Sequence, residues 1–118
     1  MIKIISFILT VFLFACAAHK KVEVNNELPS CLRSKIDSMA ANPGVGEPQS
    51  VTRYSYHDKT VYYMKAHCCD KFNIVFDSAC NILGFPDGGF TGRGDGKLRG
   101  FFKEAKDGKV VWNMNQPQ

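Results

Sequence analysis

The chain has 118 residues and a formal net charge of +4, and 45% of its residues are hydrophobic. This length predicts one small domain, and no internal repeat is evident. Acidic and basic residues alternate, as in KEAKD (103–107), so the basic excess forms no stripe and a nucleic-acid partner is excluded.

The first 16 residues, MIKIISFILTVFLFAC, have the pattern of an export signal that ends at a cysteine. Lys3 precedes an apolar run over residues 4–14, which is shorter than the roughly 20 residues of a membrane-spanning helix and suits a signal peptide. The stretch LFAC (13–16) resembles the lipobox of bacterial lipoproteins. This resemblance implies a signal peptide over residues 1–15 and a lipid anchor on Cys16.

The predicted location is therefore the bacterial cell envelope, with the periplasmic face of the outer membrane favoured over the cell surface. Membrane lipid, bound through the acylated N-terminus, is the first expected partner. Residues 16–29 contain the lipidated cysteine and a polar stretch with few large apolar groups, which predicts a flexible tether.

A single domain is predicted over residues 30–113, and it begins with a helix from about Ser30 to Ala41. The run NPG (42–44) ends this helix, because neither proline nor glycine continues it. The apolar residues that recur at helical spacing are Leu32, Ile36, Met39 and Ala40.

Strands are predicted after the helix, because the following segments are rich in valine, tyrosine and threonine. VTRYSYHD (51–58) and TVYYMKAH (60–67) predict a hairpin that turns at Asp58-Lys59, with the face that meets the helix left open. NIVFD (73–77) and NILGF (81–85) predict a second hairpin.

The remaining chain adds a short helix or irregular turn over residues 98–106, a stop at Asp107-Gly108, a last strand over 109–113 and a tail over 114–118. The expected fold class is α+β, with one N-terminal helix packed on a mainly antiparallel sheet of about five short strands and stapled by disulfides.

Four cysteines remain besides Cys16, namely Cys31, Cys68, Cys69 and Cys80. An even number in a short exported chain predicts a disulfide framework. Adjacent cysteines are not expected to pair, so two pairings stay open: 31–68 with 69–80, or 31–69 with 68–80. The run HCCD (67–70) contains metal-ligand types, but neighbouring side chains in an extended chain point to opposite sides, so disulfides are favoured over a metal site.

The segment PDGGFTGRGDGKLRG (86–100) contains six glycines. In a structural interpretation, glycine supplies positive φ, and Asp87 and Asp95 accept hydrogen bonds from nearby backbone amides. In a ligand interpretation, these carboxylates bind a cation, or backbone N–H groups together with Arg93, Lys97 and Arg99 bind an anion. The segment matches neither a P-loop nor an EF-hand.

We predict a non-catalytic binding or structural module without a cofactor, because no histidine or serine lies in a recognisable catalytic arrangement. An envelope protein or a glycan is a further expected partner. The alternative is a calcium-type metal-dependent protein or enzyme that uses Asp87, Asp95 and His67. The expected contact surface combines the loop with the tyrosines of the first hairpin. Its residues are Asp87, Gly88, Gly89, Arg93, Asp95, Lys97, Tyr54, Tyr56, Tyr62 and Tyr63.

An ordered set of short motifs resembles a known family. The motifs are LPSC (28–31), VYY (61–63), CCD (68–70), FPDGG (85–89), GRGDG (92–96) and FFK (101–103). Together they look like a family of small bacterial envelope lipoproteins classed as a domain of unknown function, over about residues 28–113. The resemblance implies a fold and a compartment, and no activity.

Overall fold

The computed structural model describes residues 27–42 and 47–116. The predicted signal peptide, the predicted lipidation site Cys16 and most of the predicted tether lie outside the described residues. No helix within the described ranges combines the length and apolar character that crossing a membrane requires.

The described residues form an α+β fold, which confirms the predicted class. Five antiparallel strands make one sheet in the order β4-β3-β2-β1-β5. The elements in chain order are α1 (Ser30–Ala40), β1 (Pro48–Tyr56), β2 (Lys59–Ala66), β3 (Ile74–Asp77), β4 (Ile82–Gly84), the one-turn helix α2 (Phe101–Glu104) and β5 (Lys106–Asn113).

The β1–β2 hairpin turns at His57 and Asp58, one residue before the predicted turn. Both residues have positive φ, at 48° and 61°, as a two-residue type I′ turn requires. Tyr54 therefore pairs with Val61. Moving the turn by one residue changes the pairing register by two, so each strand side chain stays on the same face of the sheet.

Helix α1 packs on the sheet face that carries Val51, Tyr62 and Met64, which the sequence left open. Leu32 and Ile36 supply the buried side of the helix, one turn apart. Burial of these side chains, at about 1.5–3 kcal/mol each, holds the helix on the sheet.

The opposite face of the sheet is covered by the chain between β4 and β5. Phe101 of α2 is fully buried there against Val61, Tyr63 and Val75. Because both faces are covered, the central strand β2 has four consecutive buried residues, Val61–Met64. A sheet covered on both faces loses the simple alternation of apolar and polar residues.

Strand β5 begins at Lys106. The prediction that Asp107-Gly108 ends the short helical segment and precedes the last strand is therefore wrong. Asp107 has a φ of 55°, and the pairing with β1 shifts register nearby, which is the signature of a bulge. The ring of Tyr54 crosses Gly108 so closely that an added Cβ would lie 2.5 Å from it. The absence of a side chain at Gly108 thus lets the Tyr54 ring pack directly on the backbone of β5.

The disulfides join Cys31 with Cys80 and Cys68 with Cys69, so both expected pairings are wrong. Cys31 lies in the first turn of α1, and Cys80 packs against the core on the same side of the sheet, with 6.2 Å between their Cα atoms. Cys68 and Cys69 remain together in the β2–β3 connection. Their adjacent pairing is accommodated by a left-handed backbone at Cys69, whose φ is 72°.

Candidate functional site

The glycine loop, residues 86–97, is fixed by backbone hydrogen bonds to the segment before β3. The Gly89 N–H donates to the Lys71 carbonyl at 3.1 Å, and the Asn73 N–H donates to the Asp87 carbonyl at 3.2 Å. A further bond runs from the Asp95 N–H to the Phe85 carbonyl at 3.0 Å. Loop and segment therefore form one hydrogen-bonded unit.

The Asp87 carboxylate points inward to Tyr63 and Asn73. The Tyr63 hydroxyl lies 3.1 Å from each carboxylate oxygen, and Asn73 Nδ2 donates to Oδ1 at 3.0 Å. Asn73 is itself oriented by the Ala66 N–H, which donates to its Oδ1 at 2.7 Å. Burial, followed by the nearby carboxylate, raises the pKa of Tyr63, so its hydroxyl stays a donor. Asp87 thus ties the loop to β2.

The second loop aspartate, Asp95, is exposed and accepts the Lys97 N–H at 3.0 Å in an Asx turn. Its neighbour Gly94 has a φ of 67°, and an added Cβ would collide with the Phe85 carbonyl oxygen. Both observations agree with the structural interpretation for Gly94 and Asp95. Within residues 27–42 and 47–116, no three His, Cys, Asp or Glu side chains are grouped to hold a metal ion.

The backbone N–H groups that an anion would need are largely used in the hydrogen bonds that hold the loop. Those of Gly89, Gly94 and Asp95 donate to backbone carbonyls, and that of Lys97 donates to a side chain. Arg93 and Arg99 line a shallow polar depression beside Gly94 and Gly96. An anion at this place would meet mainly arginine side chains.

Gly88 and Gly89 belong to the packed base of the loop. Gly88 forms isolated bridges with Phe72 and with Arg93, and Gly89 is buried. Arg93 and Lys97 are exposed above this base. Among the predicted loop residues, the exposed ones are therefore Arg93, Asp95 and Lys97.

The tyrosines of the first hairpin take part in packing. Tyr62 and Tyr63 are buried on opposite faces of β2, so they are not available on a contact surface. Tyr54 and Tyr56 are partly buried, and their rings lie 5.7 Å and 5.0 Å from the ring of Phe101. Helix α1 covers Tyr62, and the chain between β4 and β5 packs against the other three tyrosines, so the four do not form one exposed surface.

The tip of the glycine loop presents a phenylalanine that the sequence reasoning missed. Phe90 is 92% exposed in a turn closed by the Gly92 N–H, which donates to the Gly89 carbonyl at 3.1 Å. The ring of Phe72, itself 45% exposed, lies against Gly89 and stacks on Phe85 at 5.0 Å. We call Phe72, Phe85 and Phe90 the aromatic tip. A bulky apolar residue between glycines, as in GGFTG (88–92), was the available signal.

A groove of about 400 Å³ lies between α1 and the strands, beside the β2–β3 connection. Its lining is mostly apolar, with Met39, Pro48, Met64, Phe72 and Ile74 among the residues. Cys68 and His67 also line the groove. The adjacent disulfide therefore borders an apolar cavity.

The hairpin turn is attached to α2 through His57 and Glu104. His57 Nε2 lies 2.9 Å from Glu104 Oε2, and the ring of Tyr56 stacks on the imidazole at 4.0 Å. Burial, and then the Glu104 charge, raise the pKa of Tyr56. Both side chains of this contact are exposed, so it positions the turn and adds little stability.

A family model described as "Domain of unknown function (DUF6970)" matches residues 37–114. The match covers more than half of the chain and all five strands, so the chain belongs to this family. The resemblance to a family classed as a domain of unknown function is thereby confirmed. No curated protein and no solved structure gives a significant match.

Proposed function

We propose that this member of the DUF6970 family is a lipid-anchored lipoprotein of the bacterial cell envelope with a non-catalytic binding domain. The signal-like run and the lipobox-like LFAC (13–16) support anchoring at Cys16. The two disulfides support an oxidising compartment, because such bonds persist outside the reducing cytoplasm. The tether then separates the domain from the lipid.

The observation that carries the binding proposal is the exposure of Phe90 on a fixed loop. A phenylalanine left in water forgoes roughly 1.5–3 kcal/mol of burial, which a partner recovers on contact. Because hydrogen bonds already fix the loop, binding loses little conformational entropy. Aromatic and arginine side chains are enriched at binding hot spots, and the exposed Arg93, whose backbone bridges to Gly88, belongs to the same loop as Phe90. The proposed partner is an envelope protein or a glycan.

The alternative, a calcium-type protein or enzyme that uses Asp87, Asp95 and His67, has less support. The Asp87 carboxylate is engaged by Tyr63 and Asn73, so a cation there would have to displace both donors. We therefore prefer the aromatic tip to the carboxylates as the binding element.

Anchoring is tested with the full-length chain and its Cys16→Ser variant. We expect the wild-type chain in the membrane fraction, beginning at a cysteine whose mass is increased by lipid. The variant should leave the membrane fraction or keep residues 1–15. A wild-type chain that retains its first methionine and carries no lipid would contradict the proposal.

Binding is tested by photo-crosslinking in intact cells from a reactive residue placed at position 90. The matched control places the same residue at Val110, which is 53% exposed on the edge strand β5. We expect a defined product from position 90 that is missing from position 110. The same products from both positions, or none from position 90, would reject the aromatic tip as the contact.

A further inference from the structure

The two disulfides differ in what they constrain. Cys31–Cys80 joins residues 49 positions apart and fastens α1 to the sheet. Cys68–Cys69 joins neighbours, so it closes no loop and removes almost no entropy from the unfolded chain. The Cys31–Cys80 bond is therefore explained by its stabilisation of the fold. The Cys68–Cys69 bond is not explained in this way.

The adjacent disulfide is also open to reagents in solvent. Cys68 and Cys69 are both exposed in the β2–β3 connection. Cys68 lines the apolar groove, and both cysteines line a second depression that contains Lys65 and Lys71. A thiol can reach the sulfur atoms without any unfolding, and exposed disulfides are the ones that exchange readily.

The charges around the pair favour the step that opens it. The leaving group of disulfide exchange is a thiolate, which nearby positive charge stabilises. Lys65 and Lys71 supply this charge in the shared depression, and Asp70 follows the pair in the chain as the opposing charge. Once opened, the two sulfurs stay on neighbouring residues, so closing the bond again is an intramolecular step.

The backbone gives the opening a structural consequence. Cys69 is held in the left-handed region, which is unfavourable for a residue with a Cβ atom. When the Cys68–Cys69 disulfide opens, Cys69 is free to change its backbone conformation. The carbonyl of Lys71, two residues further on, accepts the Gly89 N–H of the glycine loop, so the connection reaches that loop directly.

We propose that Cys68–Cys69 is a reversible two-electron redox pair that exchanges with dithiols. One thiolate of the dithiol attacks a sulfur of the pair, forms a mixed disulfide and releases the other cysteine as a thiolate, which takes up a proton. The second thiolate of the dithiol then breaks the mixed disulfide. The dithiol becomes a disulfide, Cys68 and Cys69 become two thiols, and an oxidised dithiol reverses the reaction. This activity is independent of the aromatic tip.

The test uses the full-length chain purified without reductant and treated with dithiothreitol in its native state. Free thiols are alkylated at intervals and located by mass spectrometry. We expect the adjacent pair to open at least about tenfold faster than Cys31–Cys80 and to close again in oxidised dithiothreitol. A parallel reaction with a dithiol oxidoreductase shows whether a protein dithiol is the better donor, and faster opening by either reagent supports exchange.

Two double variants serve as controls. Cys31→Ser/Cys80→Ser contains only the adjacent pair, and its exchange rate should match that of this pair in the wild type. Cys68→Ser/Cys69→Ser contains only the Cys31–Cys80 disulfide and should show no fast phase of disulfide opening. Opening of the adjacent pair only together with Cys31–Cys80, or only in denaturant, would overturn the proposal. The proposal would also be overturned if oxidised dithiothreitol did not restore the disulfide between the Cys68 and Cys69 thiols.

Discussion

The hydrogen bonds of Asp87 provide the sharpest test of how the glycine loop is held. In Asp87→Ala, the Tyr63 hydroxyl and the Asn73 amide lose their shared acceptor, while Tyr63 stays buried and Asn73 half-buried. A hydrogen bond to a charged group contributes about 1.5–3 kcal/mol. Taking the lower value for each of the two donors, we expect the free energy of unfolding to fall by about 3 kcal/mol. For a domain of this size the melting temperature should fall by roughly 12–24 °C.

Urea unfolding followed by fluorescence measures this loss, because the chain has one tryptophan, Trp112, which packs against the helix-side core. Asp95→Ala is the matched control, since Asp95 is exposed and accepts one backbone bond. It should lose less than about 1 kcal/mol, and Asp87→Asn, which keeps one carbonyl acceptor, should lie between the two. A loss below about 0.5 kcal/mol in Asp87→Ala would refute the structural role of this carboxylate.

Gly94, the Cys31–Cys80 disulfide and the Tyr63 hydroxyl give three further predictions. Gly94→Ala should lower the free energy of unfolding by at least about 2 kcal/mol because its Cβ meets backbone, whereas Gly92→Ala, at a similar φ but with open space, should lose about 1 kcal/mol. Replacing Cys31 and Cys80 with serine should lose about 4 kcal/mol, the loop-closure entropy for a separation of 49 residues. Since the raised pKa of Tyr63 lets the unfolded chain lose the phenol proton first, stability should decline above about pH 10, and less steeply in Tyr63→Phe.

Urea unfolding checks all three, with the Tyr63 pair measured between about pH 9 and pH 11. Equal losses in the two glycine variants would refute the steric argument at Gly94. A loss below about 1 kcal/mol without the long disulfide would refute its entropic role. An unchanged pH slope in Tyr63→Phe would show that other groups cause the decline.

The helix and the strands could be predicted because their signals are local. The apolar spacing and the NPG stop place α1 to within one residue of its observed end. The hairpin turn was missed by one residue because its left-handed backbone falls on His57, which Tyr56 and Glu104 hold from outside the turn. Tertiary contacts of this kind leave no local signal.

The disulfide pairing could not be predicted, because it depends on the face of the sheet that α1 covers. The residue pattern of the first hairpin left both faces open. Once α1 lies on the face of Tyr62 and Met64, Cys31 meets Cys80 and the other two cysteines have only each other. Disulfides between adjacent cysteines are rare in general, and this rule led to the wrong pairing for this chain.

The candidate site was predicted in part. The structural interpretation agrees with the Asx turn of Asp95. The donors to the Asp87 carboxylate are the side chains of Tyr63 and Asn73 instead of the predicted backbone amides, and Asn73 was not singled out. Tyr63 was expected on the surface because the sequence did not show that Phe101 packs against its face of the sheet. Phe90 was not predicted, because a single apolar residue among glycines has no periodic pattern that would indicate its exposure.

The strand order leaves β4 and β5 at the two edges of the sheet. Unpaired edge strands invite a second chain to add to the sheet, unless they are short, bulged or charged. Strand β4 has three residues, and β5 has an interrupted register and carries Lys106 and Lys109. Neither border offers a long flat template, so many copies can be crowded together without joining into a continuous sheet.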